Sequence, residues 1–131
     1  MMNTLFAQTD NYKNVIDNFV TNYNTEKYND IFAAFSPETK QALPLDKTND
    51  FLKNLKNQVG KIEDKEFIGF QKQSYATYKT KCEKAILAIN ISIDKQNKIN
   101  GFYIIPYEEP NKNPTNNIIN ALQTYPKDIA E

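Results

Sequence analysis

Four residues carry a spacing known from covalent catalysis. Ser92-Ile93-Asp94-Lys95 matches S-x-x-K, which sets a lysine beside a nucleophilic serine for acyl transfer. The lysine reaches the serine only when the motif opens a helix. Here the four residues end a strand, so alternation sends Ser92 to one face and Lys95 into a turn. Lys47-Thr48-Asn49 is a poor echo of the partner motif K-T-G and precedes the serine in the chain. The match is a coincidence of spacing. Cys82 stands among Lys81, Glu83 and Lys84, and neighbouring lysines favour a thiolate. There is no second cysteine and no base to serve it, so Cys82 reads as a plain half-buried thiol. Asn90-Ile91-Ser92 has the form of a glycosylation sequon but sits mid-strand. The chain has no histidine, which removes Ser-His-Asp and Cys-His catalysis and nearly all zinc and copper sites. No catalytic residue, metal or cofactor is expected.

Aromatic residues give the better binding signal. Tyr12, Tyr23, Tyr28, Tyr75, Tyr78, Tyr103 and Tyr107 fall on elements that bound one concave space. A tyrosine buries its ring and keeps a polar tip, which suits a ligand wall as well as an ordinary core edge. Tyr12, Phe19, Tyr23, Phe32 and Tyr103 are the candidate lining residues, and both readings stay open.

The wider composition narrows the classes further. All sixteen basic residues are lysines, balanced by sixteen acidic ones for a net charge of zero. Nucleic-acid binders carry a basic excess and use arginine for bidentate contacts, so none is expected as a partner. No run of 18 apolar residues could span a membrane. A chain of 131 residues suits one domain able to bury a real core without disulfides.

The elements that position these residues follow from periodicity. Around Thr9–Asn24, Tyr12, Val15, Ile16, Phe19, Val20 and Tyr23 recur at helical spacing. A short helix over Glu26–Phe35 aligns Tyr28, Ile31, Phe32 and Phe35. Ser36 as cap and Pro37 as first residue open another helix, which stops at Pro44. A helix over Asp46–Val59 lines up Phe51, Leu52, Leu55 and Val59, and Gly60 supplies a left-handed stop. After Gly60 the period falls to two. Lys61–Gln71 and Ser74–Cys82 are strands, with Ile62, Ile68 and Phe70 on one parity of the first, a bulge at Gly69, and Glu63–Glu66 as a solvated face. A hairpin over Ala85–Tyr107 closes the meander. Pairing Ile93 with Ile99 sets Ile91 against Gly101, Ile89 against Tyr103 and Leu87 against Ile105. Ile86, Phe102 and Ile104 then mark the outer face, a candidate dimer or domain interface. The fold class is α+β: N-terminal helices packed on a curved four-stranded antiparallel meander.

The domain spans 9–107. Residues 1–8 resemble the remnant of an export signal or a disordered start. Residues 108–131 read as a Pro- and Asn-rich linker with a short amphipathic patch, Ile118, Ile119, Leu122 and Tyr125, that docks back or leads to a further domain.

With FSPE at Phe35–Glu38, ALPL at Ala42–Leu45, FLKNLKNQVGKI at Phe51–Ile62 and KINGFYIIPY at Lys98–Tyr107, the chain resembles an uncharacterised bacterial domain family with a cystatin-like, nuclear transport factor 2-like fold. The resemblance covers about Asn11–Tyr107. It implies helices filling the mouth of a curved, cone-shaped sheet. It also implies an exported protein, periplasmic or extracellular, in which the domain stands ahead of a β-lactamase-like serine hydrolase. The family carries no assigned catalytic residues, so any hydrolase chemistry would lie beyond Glu131. The expected function is that of a non-catalytic accessory domain acting in positioning, dimerisation or weak ligand binding in the cone. Two alternatives stand beside it: a small lyase or isomerase using a buried carboxylate with tyrosine donors, and a stand-alone dimeric structural domain.

Overall fold

In the computed structural model, which describes residues 9–71 and 75–108, four helices precede four strands. The helices are α1 (Asp10–Asn24), α2 (Tyr28–Ala33), α3 (Pro37–Ala42) and α4 (Leu45–Val59). The strands are β1 (Ile62–Gln71), β2 (Tyr75–Cys82), β3 (Ile86–Ile93) and β4 (Ile99–Pro106), in the order β1-β2-β3-β4. Every neighbouring pair is antiparallel, so the architecture is α+β with an open meander sheet. Expectations for Met1–Gln8, for Ser74 and for the segment after Glu108 fall outside the described residues.

Local chemistry sets the boundaries. Thr9 caps α1 by accepting the Tyr12 amide at 3.3 Å, and Ser36 caps α3 by accepting that of Thr39 at 3.2 Å. Helix α2 is shorter than its periodicity predicts because Glu26, at φ 62°, turns the chain before it. Gly60 closes α4 at φ 84°, a conformation that β-carbon sterics deny to most residues. A β-carbon there would also strike the side chain of Glu83.

The helices cover one face of the sheet. Ile16, Phe19 and Tyr23 of α1, Ile31 of α2, Phe35 and Leu52 meet Ala76, Tyr78, Leu87, Ile89, Ile91 and Ile99 in one core. The end of α1 is tied to the start of β1. Asn24 Nδ2 donates to the Ile62 carbonyl and its Oδ1 accepts the Ile62 amide, both at 2.9 Å. The Tyr23 hydroxyl donates to the Gly60 carbonyl at 2.9 Å.

Two strands depart from simple alternation. In β1 the register shifts between Ile62 and Asp64 and again between Phe67 and Gly69. The second shift is the bulge foreseen at Gly69. It places Phe67 with Tyr78 and Phe70 with Ala76 on the helix side, while Ile68 is exposed. The run Glu63–Glu66 is not wholly solvated: Lys65 points to the helix side, and its Nζ lies 2.7 Å from Asp17 of α1.

In β4 the change is larger. Ile93 pairs with Ile99, but Ser92 pairs with Gly101, so Asn100 is an extra residue. One extra residue exchanges the two faces of everything that follows. Ile91 faces Phe102, Asn90 faces Tyr103, Ile89 faces Ile104 and Ala88 faces Ile105. The expected assignment of Tyr103 to the inner face, and of Phe102 and Ile104 to the outer face, is therefore reversed. The Phe102 ring lies 5.9 Å from that of Phe19 and 5.8 Å from that of Phe35, and Ile104 packs on the core. Tyr103 is 42% exposed on the far side of the sheet. Ile86 does lie on that side, as expected, and is 44% exposed.

Candidate functional site

Of the five expected lining residues, four lie among the helices and are brought near the core. Phe19 and Tyr23 stack at 6.1 Å and are buried. Tyr12 meets Phe70 edge-on at 5.2 Å, and its hydroxyl accepts the Ile93 amide at 3.4 Å. Phe32 is half-buried against Phe35 at 5.9 Å. Tyr103 does not join them. Space beside Phe19 amounts to a cleft of about 110 Å³ between Val15, Ile31 and Ile99.

Among the described residues the interior holds no poised acid. Every carboxylate among the described residues is exposed or half-exposed. The half-buried one that faces the sheet, Asp17, is clasped by Lys65 at 2.7 Å and Lys13 at 2.9 Å. Hydrogen bonds from Lys65 and then Lys13 hold its carboxyl below the ordinary aspartate range. Asp94 spends Oδ1 on the amides of Gln96 and Lys98, both at 2.9 Å, which shapes the β3–β4 turn. Burial pushes the Tyr23 and Tyr78 hydroxyls and the Cys82 thiol upward, the thiol to about 11, so all three stay protonated and unreactive at neutral pH. Ser92 lies on the outer face and Lys95 in the turn, which keeps the S-x-x-K spacing apart as its strand context predicts. Among the described residues no group of three potential metal ligands converges, and no helix is long and apolar enough to cross a membrane.

The outer face carries a tyrosine cluster instead. Tyr75 and Tyr103 meet edge-on at 5.3 Å, and the Lys79 ammonium lies 5.1 Å from the centre of the Tyr107 ring. A β-carbon at Gly101 would strike the Tyr75 ring, so glycine leaves the ring room to lie across β4. Next to them runs a polar row. Gln71 Nε2 donates to Thr77 Oγ1 at 2.7 Å, and Thr77 Oγ1 donates to Asn90 Oδ1 at 2.6 Å. Asn90 is 2% exposed, and its Nδ2 reaches the Tyr103 carbonyl at 3.5 Å.

Another concavity is one the sequence did not point to. It is a groove of about 620 Å³ along the open edge of β4, walled by Glu38, Thr39 and Leu43 from the α3 region, Phe51 of α4, and Asn100–Ile104. Its walls follow from local structure. Helix α3 buries none of its residues, so it stands off the sheet, and Phe51 crosses Phe102 at 89° and 6.2 Å to form the floor. The near end is closed by residues 34–36. Ile99 donates its amide to the Ala34 carbonyl at 2.8 Å, and Ser36 donates its amide to the Ile99 carbonyl at 2.9 Å. The groove was missed because its defining residues are neither a motif nor one amphipathic stripe. The available signal was Phe51, at the margin of the α4 stripe beside a helix with no apolar face of its own.

No curated protein and no solved structure matches the chain. A family model does match, over residues 17–102, from the middle of α1 into β4. Its description is protein of unknown function, DUF3887. That stretch holds most of the core, Tyr75 of the outer face and most of the groove, and the chain belongs to this family.

Proposed function

We propose that this is a non-catalytic accessory domain of an exported serine hydrolase, acting by contact rather than chemistry. The carrying observation is the state of Asp17, the half-exposed acid that faces the sheet. General acid–base work at neutral pH needs a carboxyl whose affinity for a proton is raised by burial. Two lysines push Asp17 the other way. That weighs against a lyase or isomerase built on a buried carboxylate. The absence of histidine from the sequence points in the same direction. The resemblance of the FSPE, ALPL and KINGFYIIPY segments supplies the hydrolase and the export.

Contact has two surfaces available: the edge groove, and the outer face with Tyr75, Ile86 and Tyr103. The decisive experiment is to read the coding sequence beyond Glu131. A hydrolase domain with its S-x-x-K at the opening of a helix is the expected result, and a stop codon directly after Glu131 overturns the reading. Incubation of the purified chain with a chromogenic β-lactam and a chromogenic ester should give no turnover above buffer.

A further inference from the structure

The edge groove offers backbone groups as well as apolar walls. In an antiparallel pair, alternate residues turn their amide and carbonyl toward the partner strand. Tyr107 donates its amide to Ile86, so Gly101, Tyr103 and Ile105 face β3, while Phe102, Ile104 and Pro106 face outward. Pro106 has no amide to give. The outward groups of Phe102 and Ile104 therefore form a short open ledge beside Phe51 and Leu43, with no partner among the described residues. Residues 34–36 block the Ile99 end, which leaves too short a ledge for two copies to pair as extended strands. A tethered segment needs far less contact, because a short linker raises its local concentration to about the millimolar range.

The sequence supplies such a segment. The chain leaves β4 at Pro106 and runs on for 23 residues after Glu108. The apolar residues of that stretch concentrate in Ile118, Ile119, Leu122 and Tyr125. From Glu108 back to Phe102 is about 20 Å of strand. Residues 109–117 can span about 30 Å when extended, enough to turn back along the edge. We propose that residues 118–125 of this chain fill the groove, setting Ile119 and Leu122 against Phe51, Leu43 and the Phe102–Ile104 ledge. The inference concerns the chain's own fold and holds whether or not another domain follows Glu131.

The test uses the full chain and its Ile119→Asp/Leu122→Asp variant. Amide hydrogen exchange at Phe102 and Ile104 should be at least tenfold slower in the unmodified chain than in the variant, and independent of protein concentration. Exchange at Ile89 and Ile91 should match in the two. Nuclear Overhauser contacts between the Leu122 methyls and the Phe51 ring should appear in the unmodified chain, which requires no variant to fold. Absence of those contacts, or equal exchange at Phe102 and Ile104 in both proteins, overturns the proposal. Protection that rises with protein concentration overturns it in favour of a second copy.

Discussion

Tyr23 shows how one hydroxyl can join two halves of a chain. It is fully buried, and its O–H meets the carbonyl of Gly60, where α4 hands over to the sheet. Tyr23→Phe keeps the ring and orphans that carbonyl, so it should cost about 1–2 kcal/mol in urea unfolding. A loss too small to resolve would show the carbonyl finds water. The same region sets the response to alkali. Cys82 has its thiol raised from 9.0 to about 11, chiefly by burial. Between those values the unfolded chain has lost a proton that the native chain keeps, so stability falls as pH rises through that window. Burial of the Tyr23 and Tyr78 hydroxyls acts in the same direction, with an onset near pH 10. The melting temperature should therefore decline from pH 9 to 11, and thiol alkylation of the native chain should be slow at pH 8. Rapid native-state alkylation would contradict the burial.

The elements were legible where one residue type dominates one face. Leu87, Ile89, Ile91 and Ile93 alternate with smaller or polar residues, and β3 folds as that pattern demands. Strand β4 was legible as a strand but not in its facing. Ile99-Asn100-Gly101-Phe102-Tyr103-Ile104-Ile105 is apolar on both parities, and a bulge has no side-chain signature of its own. What settles the face is fit: Phe102 fills the space between Phe19, Phe35 and Phe51, while Gly101 lies under Tyr75. Deletion of Asn100 should therefore be costly, because it drives Phe102 out of the core or forces β4 to slide. Phe102 is half-buried, so its expulsion should cost less than the ~3–5 kcal/mol of a fully buried phenylalanine, a loss readable in denaturant titration. A deletion variant as stable as the parent would show that the two faces of β4 are interchangeable. The candidate site was less legible than the fold, since the groove is made by spacing between elements rather than by any element alone.

For the molecule as a whole, the sheet is helix-covered on one side and tyrosine-lined on the other. Ile86 and Tyr103 are large exposed apolar residues of that second side. If the outer face joins two copies, sedimentation equilibrium should show a concentration-dependent dimer. The Ile86→Lys/Tyr103→Lys variant should then stay monomeric with a near-parental melting temperature. A parental chain that stays monomeric at high concentration would restrict contacts to the groove.

The bond pair between Ile99 and residues 34–36 also bears on how the protein is made. Ribosomes deliver the N-terminal half first, so the four helices emerge before the last strand that seals them. Until Phe102 has cleared the exit tunnel, Phe19, Phe35 and Phe51 lack their common neighbour and stay greasy to water. A nascent chain stalled before that residue is the form that needs a chaperone.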